Sequence, residues 1–504
     1  MREAHQIIYT SCRRGIQGAG DGLQVFSYDE DLPGAGLDVG TGFHRLLPFD
    51  VPRTAGATAF GYAPVEGCGA VWACNTKLPH DYMGPGGRAG NVLRHAVVLP
   101  ADQLDFHPIE LACAAFWRRS MAFDEVNAEE PPAFLSPVDA SPAGAIDERG
   151  TRWSLSGTAE MEAAARLARA TVLAASEGRS VAILEGGTEA LRWVALATYS
   201  LPLTLARQVS FVVGCDNLAT AGAILCGISR EDFERNTPAY VRDACLVFDP
   251  RDGLVRDASG VLESGGFDEG PYPRTVVGAS FEALVERGWR ECPDELAAFR
   301  DLCDRDLRVG LDLEELDRAF EVYRATRMGL HRLLDPVGTL AFIEERGTER
   351  FKQVMAGRVL DSIAGLDEAS AEAAVAYVLR RWSQPDERYR GHLLTMLTSM
   401  MMEAPARSRA FLDAAARCFA ALSAAMDALG PAPDDDPRAV EPVAGRVLRR
   451  GAEHLRKRRH AAGADGGDLA GGGMPAGGPP RGGSQRRPLF GGRSGFPFGK
   501  GKGR

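Results

Sequence analysis

The first hundred residues of this 504-residue chain gather side chains that can act in nucleophilic chemistry. A thiol such as Cys12 or Cys74 becomes a nucleophile when a base removes its proton, and His95 is a suitable type of base. Asn91 or Asp81 is then a candidate to orient the imidazole. These residues predict, as one hypothesis, a thiol-dependent or other hydrolase with its site in residues 1–110.

The same region holds zinc-ligand types, although the spacing of the two cysteines is not a common zinc spacing. The candidates are Cys68, Cys74, His80 and His95. A structural interpretation competes with both kinds of site, because Cys74 and His95 each lie in an apolar run that predicts a strand. We favour the structural interpretation. We therefore expect a protein that is not an enzyme, and we expect no bound metal.

Motifs for nucleotides and for common hydrolases are missing from the sequence. It contains no GxxxxGK[ST], no HExxH and no GxSxG. The glycine-rich run 84–90 looks like a phosphate loop, but a strand-like run, VLRHAVVL, follows it where a dinucleotide site requires a helix. We therefore expect no cofactor.

Charge divides the chain into an acidic body and a basic tail. The formal net charge is −10, yet residues 449–504 hold 13 Lys and Arg against 3 Asp and Glu, and residues 1–448 hold 45 against 65. The sequence shows no apolar run long enough to span a bilayer and no signal peptide. Ten cysteines without a CxxC pair suggest reduced thiols and a cytoplasmic location.

Residues 1–150 predict a β-rich N-terminal domain. Short apolar runs separated by glycine-rich breakers are typical of strands. The predicted strands are Gln6–Cys12, Gly22–Tyr28, Ala57–Tyr62, Ala70–Asn75 and Val92–Leu99. Pro108 is expected to open a helix, IELACAAFWRRS, since proline suits a first helical turn. The proline-rich residues 128–150 predict a linker.

Residues 151–275 alternate helical and strand patterns and predict a small α/β middle domain, whose first helix is expected to run from Thr158 to Ser176. Residues 276–460 predict an all-α region, because apolar residues recur every three or four positions in each of its predicted helices. Its predicted helices are FEALVERGW, DELAAFRDLCD, LEELDRAFEVYRATRM, EASAEAAVAYVLRRW, HLLTMLTSMMM and RAFLDAAARCFAALSAAMDAL. Residues 461–504 are rich in Gly and Arg, lack hydrophobic patterning and predict disorder. The expected fold is therefore α+β and multidomain.

Three segments resemble the bacterial GTPase-associated proteins, specifically the second type of their N-terminal domain and their middle domain. The first segment holds Tyr9, Thr10, Ser11, Gly15, Gly18, Gly20, Gly22 and Ser27. The second, Gly87–His95, is similar to that domain's Arg-x-Gly-Asn…His segment, with Arg88, Asn91 and His95. The third, LPLTLARQVSFVVG with the upstream WVALATYS, resembles the middle domain.

The resemblance implies an adaptor rather than an enzyme. Members of the family associate with GTPases in bacterial NTP-dependent conflict systems, which are thought to sense phage and other invasive elements. The resemblance thus implies a GTPase and other conflict-system proteins as partners. The residues it offers as partner-binding candidates are Tyr9, Ser11, Gly18, Gly20, Gly22, Arg88, Asn91 and His95.

The basic tail has hypotheses of its own. Its charge is concentrated in Arg456, Lys457, Arg458 and Arg459, and an RGG sequence with nearby phenylalanines begins at Arg481. Such segments bind RNA in other proteins, so nucleic acid is a candidate partner only through the tail. Contact with the chain's own acidic body, or simple solvation, ranks ahead of that interpretation.

Overall fold

The computed structural model describes residues 2–18, 20–32, 49–142, 145–263, 276–362 and 365–382. The helices predicted after residue 382 and the basic tail lie outside the described residues. Within the described ranges, no helix has the length and apolar character needed to cross a bilayer.

In the part of the chain that the structure describes, twelve strands form one sheet that runs through the N-terminal and middle regions. Its order is β12-β11-β10-β7-β9-β8-β3-β4-β5-β1-β2, with β6 added to β1. The strands are β1 (Glu3–Cys12), β2 (Gly22–Tyr28), β3 (Thr58–Val65), β4 (Gly69–Asp81), β5 (Gly84–Leu99), β6 (Val138–Asp139), β7 (Val181–Ile183), β8 (Phe211–Cys215), β9 (Leu225–Ile228), β10 (Leu246–Asp249), β11 (Leu254–Asp257) and β12 (Gly260–Val261).

The sheet has an antiparallel half and a parallel half, and one strand pair joins them. Strands β1 to β5 pair antiparallel with one another, whereas β7, β8, β9 and β10 pair parallel. At the junction β3 pairs antiparallel with β8, with Phe60 opposite Val213 and Tyr62 opposite Phe211. The Tyr62 hydroxyl donates to the Arg207 carbonyl at 2.6 Å. The β-rich and α/β regions therefore share one continuous sheet.

Helices cover both faces of the parallel half and form the described part of residues 276–382, and one short helix lies in the N-terminal region. They are α1 (Phe123–Val126), α2 (Glu148–Trp153), α3 (Thr158–Glu177), α4 (Gly187–Tyr199), α5 (Leu203–Ala206), α6 (Arg230–Asn236), α7 (Ala239–Ala244), α8 (Ala279–Arg290), α9 (Pro293–Arg305), α10 (Leu313–Met328), α11 (Pro336–Arg346), α12 (Glu349–Ser362) and α13 (Glu368–Trp382). The expected α+β organisation, with a β-rich start, a mixed middle and a helical region, is confirmed.

The principal core lies on one face of the sheet. Helices α3 and α4 cover the parallel strands on this face, with α3 packing against α4 and α8. The Ala-rich sequence of α3 suits this position because small side chains let the sheet and α8 approach it from both sides; nine of its residues are buried. The other face of the parallel strands packs against Leu218, Phe233 and Val241.

Side-chain hydrogen bonds attach the helical region to the middle region. The Trp289 indole N–H donates to Ser200 Oγ at 2.9 Å. The Asp304 carboxylate accepts from the backbone N–H groups of Leu203 and Thr204 at 2.9 and 2.8 Å. These N–H groups open the short helix α5, so a carboxylate of one region satisfies orphan donors of the other.

A buried arginine, Arg300, also connects the helical region to the middle region. Arg300 of α9 is 9% exposed and donates to the Tyr199 carbonyl at the end of α4. Its Nη2 also donates to both oxygens of Glu148, at 2.7 and 2.9 Å. A planar guanidinium makes several such bonds at once, which a lysine ammonium does not reproduce.

Two expectations for the N-terminal region are wrong. The segment after Pro108 forms only a 3-10 turn, Pro108–Leu111, before it turns along the sheet. Its carbonyls bond to indole groups instead of continuing a helix: Trp72 Nε1 donates to the Pro108 carbonyl at 2.8 Å, and Trp117 Nε1 donates to the Leu111 carbonyl at 2.7 Å. The glycine-rich run 84–90 precedes the predicted strand Val92–Leu99 and was expected to break the chain before it, but it belongs to β5 because β4 pairs with it.

We expect Arg300→Met to lower the free energy of unfolding by about 1–3 kcal/mol, because it leaves the Tyr199 carbonyl and Glu148 without their partner. Arg300→Lys should recover only part of the loss. Urea unfolding measures both variants. Arg305→Met is the matched control, since Arg305 is exposed and pairs with exposed Asp301, so its change should stay below about 0.5 kcal/mol. Equal effects at both positions would contradict the assignment.

Candidate functional site

The two N-terminal segments that carry the family resemblance bond to each other. Asn91 lies just beyond the last paired residues of the β1–β5 ladder, Thr10 and Leu93. Its Oδ1 accepts from the backbone N–H groups of Ser11 at 3.1 Å and Val92 at 2.7 Å. The Thr10 hydroxyl donates to the Val92 carbonyl at 2.8 Å. The buried Asn91 therefore closes the end of this ladder, where backbone pairing stops.

His95 is buried in β5, and both of its ring nitrogens are engaged. Nδ1 accepts from the backbone N–H of Arg118 at 3.1 Å, which leaves the proton on Nε2 to bond Gln6 Oε1 at 2.9 Å. The ring meets Trp117 edge to face, with centroids 5.2 Å apart. Burial, followed by the charge of Arg118, lowers the pKa of His95 to about 3. The imidazole is therefore neutral and serves the structure.

The candidate nucleophiles lie in surroundings that keep them protonated. Burial raises the pKa of Cys12 and of Cys74 to about 11 each. Cys74 stands opposite His95 in the β4–β5 ladder. An imidazole that already donates to Gln6 and accepts from Arg118 offers no nitrogen to take a proton from that thiol. The hydrolase hypothesis stays a prediction, and this geometry gives it no base.

The four residues considered as zinc ligands do not form one cluster, although Cys74 and His95 are cross-strand neighbours. Cys74 and His80 belong to the same extended strand, six residues apart, which places their Cα atoms about 20 Å from each other. Among the residues that the structure describes, no three or more His, Cys, Asp or Glu side chains are grouped to hold a metal ion.

The glycine cluster forms the connection between β1 and β2. Gly18 and Gly22 have φ values of +67° and +126°, which residues with a Cβ atom rarely adopt. Gly18 and Gly20 are exposed. The loop is fixed to the tip of the β4–β5 hairpin, because the Tyr82 hydroxyl bonds Asp21 Oδ2 at 2.9 Å. The cluster thus shapes an exposed loop that contacts a neighbouring hairpin.

Three exposed apolar side chains lie on the segments that meet at this contact, and we call them the hairpin-tip patch: Leu23, Met83 and Phe123. Their exposed fractions are 55%, 58% and 51%. Leu23 lies two residues after Asp21, and Met83 follows Tyr82. The Phe123 ring packs over Gly84, where an added Cβ would lie 3.3 Å from it. Large apolar side chains grouped at a surface are typical of binding sites for other proteins.

The remaining predicted residues divide between the sheet and the undescribed parts. Tyr9 is half-buried in β1, against the core on the face opposite His95. Arg88 lies in β5, and its side chain is outside the described residues. The basic residues Arg456, Lys457, Arg458, Arg459 and Arg481 also lie outside them.

A polar group that the sequence analysis missed lies on the same face as Tyr9. Arg94 stands opposite Tyr9 in one ladder and opposite Asn75 in the other. Asn75 Nδ2 donates to the Phe49 carbonyl at 2.9 Å, and Arg94 lies 3.7 Å from an oxygen of Asp50. Burial lowers the pKa of the Arg94 guanidinium. The available signal was a polar residue at the inward position of an otherwise apolar, alternating strand.

We expect the His95→Gln variant to lose part of the wild-type dependence of stability on pH. The unfolded histidine takes up a proton below about pH 6.5, whereas buried His95 does so only near pH 3. The free energy of unfolding of the wild type therefore decreases as the pH is lowered from 6.5 towards 3. The difference in unfolding free energy between wild type and variant should shrink by about 2 kcal/mol between pH 8 and pH 5. Urea unfolding at both pH values measures it, with the exposed His80→Gln as control. A difference that does not change with pH would contradict the assignment.

Comparison with known families assigns both sheet-forming regions. Residues 3–136 match GTPase-associated protein 1, N-terminal domain type 2, and residues 154–252 match GTPase-associated protein 1, middle domain. Comparison with curated proteins and with solved structures gives no match. The first match holds the Tyr9–Ser11 and Asn91–His95 segments, and the second holds β7 to β10. Over these two ranges, which together make up somewhat under half of the chain, the protein is similar to GTPase-associated protein 1, with an N-terminal domain of type 2 followed by the middle domain.

Proposed function

We propose that this protein is a cytoplasmic, non-catalytic adaptor that associates with a GTPase in a bacterial conflict system directed against phage. The observation that carries the proposal is the succession of two domains whose family is described as GTPase-associated, in one chain and in family order. Other proteins of the conflict system are its further expected partners. The adaptor holds the GTPase and these components in one assembly.

The architecture supports a role in holding partners. The β3–β8 pairing makes one sheet of both family domains, and Arg300 and Asp304 fix the helical region to the middle region. Such a body presents surfaces at a fixed separation, which an adaptor requires. The motif residues Asn91 and His95 are engaged within the sheet, which agrees with a role in shaping the N-terminal domain.

We place the GTPase contact at the hairpin-tip patch and the adjoining loop with Gly18 and Gly20. The patch combines an aromatic ring with two flexible apolar side chains, the kind of surface that dominates binding energy when a partner covers it. The Tyr82–Asp21 hydrogen bond orders the loop before a partner arrives, which reduces the entropy lost on binding.

We expect a GTPase gene to lie beside this protein's gene, and co-purification with its product tests the association. We expect a tagged full-length chain to retain that GTPase through washing. The variant Met83→Asp/Phe123→Asp should weaken binding at least tenfold, because it places two carboxylates in the apolar contact. Tyr240→Asp is the matched control: Tyr240 is 74% exposed in α7, away from the patch, and its change should leave binding unaltered.

The two parts of the proposal fail in different ways. If the wild-type chain does not retain the GTPase under conditions in which both are folded, the adaptor role is contradicted. If the wild-type chain and the Met83→Asp/Phe123→Asp variant bind equally, the association stands and the contact lies elsewhere.

A further inference from the structure

An open groove runs along the described surface of the helical region. One part, of about 460 Å³, lies between the start of α8, the middle of α10 and the start of α11. A second part, of about 320 Å³, continues along α10 towards the end of α11. Glu314 and Arg318 line both parts, so the two form one groove along α10.

The groove is acidic. Seven carboxylates line its two parts against two guanidiniums, those of Arg318 and Arg346, which gives −5. Some of the carboxylates hold the local structure: Asp317 accepts from the backbone N–H groups of Gly278 and Phe281 at 2.7 and 2.8 Å. Glu314 is exposed and has no ion pair with another described residue.

Apolar side chains stand at one end of the groove. Val277 lines it, and Leu334 and Val337 flank the lining residues Asp335 and Gly338 along the chain. The exposed fractions of Val277, Leu334 and Val337 are 47%, 63% and 43%. An acidic groove with an exposed apolar end fits a segment that is both basic and amphipathic.

The chain contains such a segment. Residues 443–459, VAGRVLRRGAEHLRKRR, carry seven Lys and Arg and one Glu, which gives +6. Ala444, Leu448, Ala452 and Leu455 recur at three or four residues, a spacing typical of an amphipathic helix with one apolar face. Its charge and its apolar face both complement the groove.

The described chain also ends near this groove. Arg380 and Arg381, at the end of α13, pair with Glu344 of α11, and the adjacent Glu345 and Arg346 line the groove. Sixty residues, 383–442, separate α13 from the basic segment. They span on the order of 200 Å when extended, so chain length does not prevent the segment from returning to α10 and α11.

We propose that residues 443–459 bind the groove between α8, α10 and α11 of their own chain. The acidic body thereby covers the most basic part of the tail, and a partner that needs either surface must displace this contact. The proposal is independent of the GTPase association.

A labelled peptide of residues 443–459 tests whether the groove is occupied. We expect the full-length variant Arg456→Gln/Lys457→Gln/Arg458→Gln/Arg459→Gln to bind the peptide at least tenfold more tightly than the wild-type chain, whose groove is already filled. Adding Glu314→Lys/Glu345→Lys to this variant should abolish binding. Adding Glu129→Lys/Glu231→Lys, which changes two exposed acids away from the groove, should not. Fluorescence anisotropy at 50 mM salt measures all four proteins, and equal peptide affinity for the wild-type and neutralised chains would overturn the proposal.

A photo-crosslinker at position 334 of the full-length chain supplies a second measurement. Mass spectrometry should locate its crosslinks within residues 443–459, and crosslinks confined to other segments would overturn the proposal. RNA binding by the tail is the competing outcome. If the tail is held in the groove, Glu314→Lys/Glu345→Lys releases it and increases binding of single-stranded RNA to the full-length chain. RNA binding that is strong in the wild-type chain and unchanged in this variant would also overturn the proposal.

Discussion

The pairing of β3 with β8 determines how the rest of this protein is arranged. Three residue pairs join an antiparallel sheet to a parallel one, and Phe60, Tyr62 and Phe211 pack together across the junction. Because the pairing fixes the strand order, it also fixes which faces continue from one half to the other. The principal core therefore extends from the N-terminal strands through α3 and α4 to the helical region without a break.

The N-terminal residues that carry the family resemblance make hydrogen bonds that hold this sheet together. Asn91 satisfies backbone donors where the β1–β5 ladder ends, and His95 joins β1 to the segment after Trp117 through Gln6 and Arg118. Polar residues with every donor and acceptor matched are effective at specifying one arrangement of strands, because any other register would leave them buried without partners. A polar residue type common in active sites can thus mark a structural position.

Local patterns predicted much of the fold. β2 was predicted with the bounds that the structure shows, and α3 was predicted within one residue at its end, because alternation and helical spacing report directly on one buried face. Helices α11 and α12 were missed, since prolines and glycines near their ends obscure the spacing. The helix predicted after Pro108 is wrong for another reason. The indole N–H groups of Trp72 and Trp117 donate to carbonyls of this segment, and these contacts depend on how residues distant in the sequence fold together.

The candidate site was less predictable. Residue types near the N-terminus suggested a thiol and a base, but burial and hydrogen bonding, which decide reactivity, depend on Gln6 and Arg118 meeting His95 across the fold. The hairpin-tip patch likewise had no signal, because Leu23, Met83 and Phe123 come from three separate segments. The β3–β8 pairing could not be predicted either, because no local pattern specifies which of several apolar strands pairs with β3.

That pairing also has a consequence for synthesis on the ribosome. β3 ends at Val65 and β8 begins at Phe211, so the edge of β3 that faces β8 emerges about 145 residues before its partner. At roughly 5–20 residues per second, the nascent chain carries that unpaired edge for about 7–30 s. An open apolar strand edge is a template for pairing with other chains. The N-terminal domain is therefore most exposed to misassembly during translation, and slow codons between the two strands would prolong that interval.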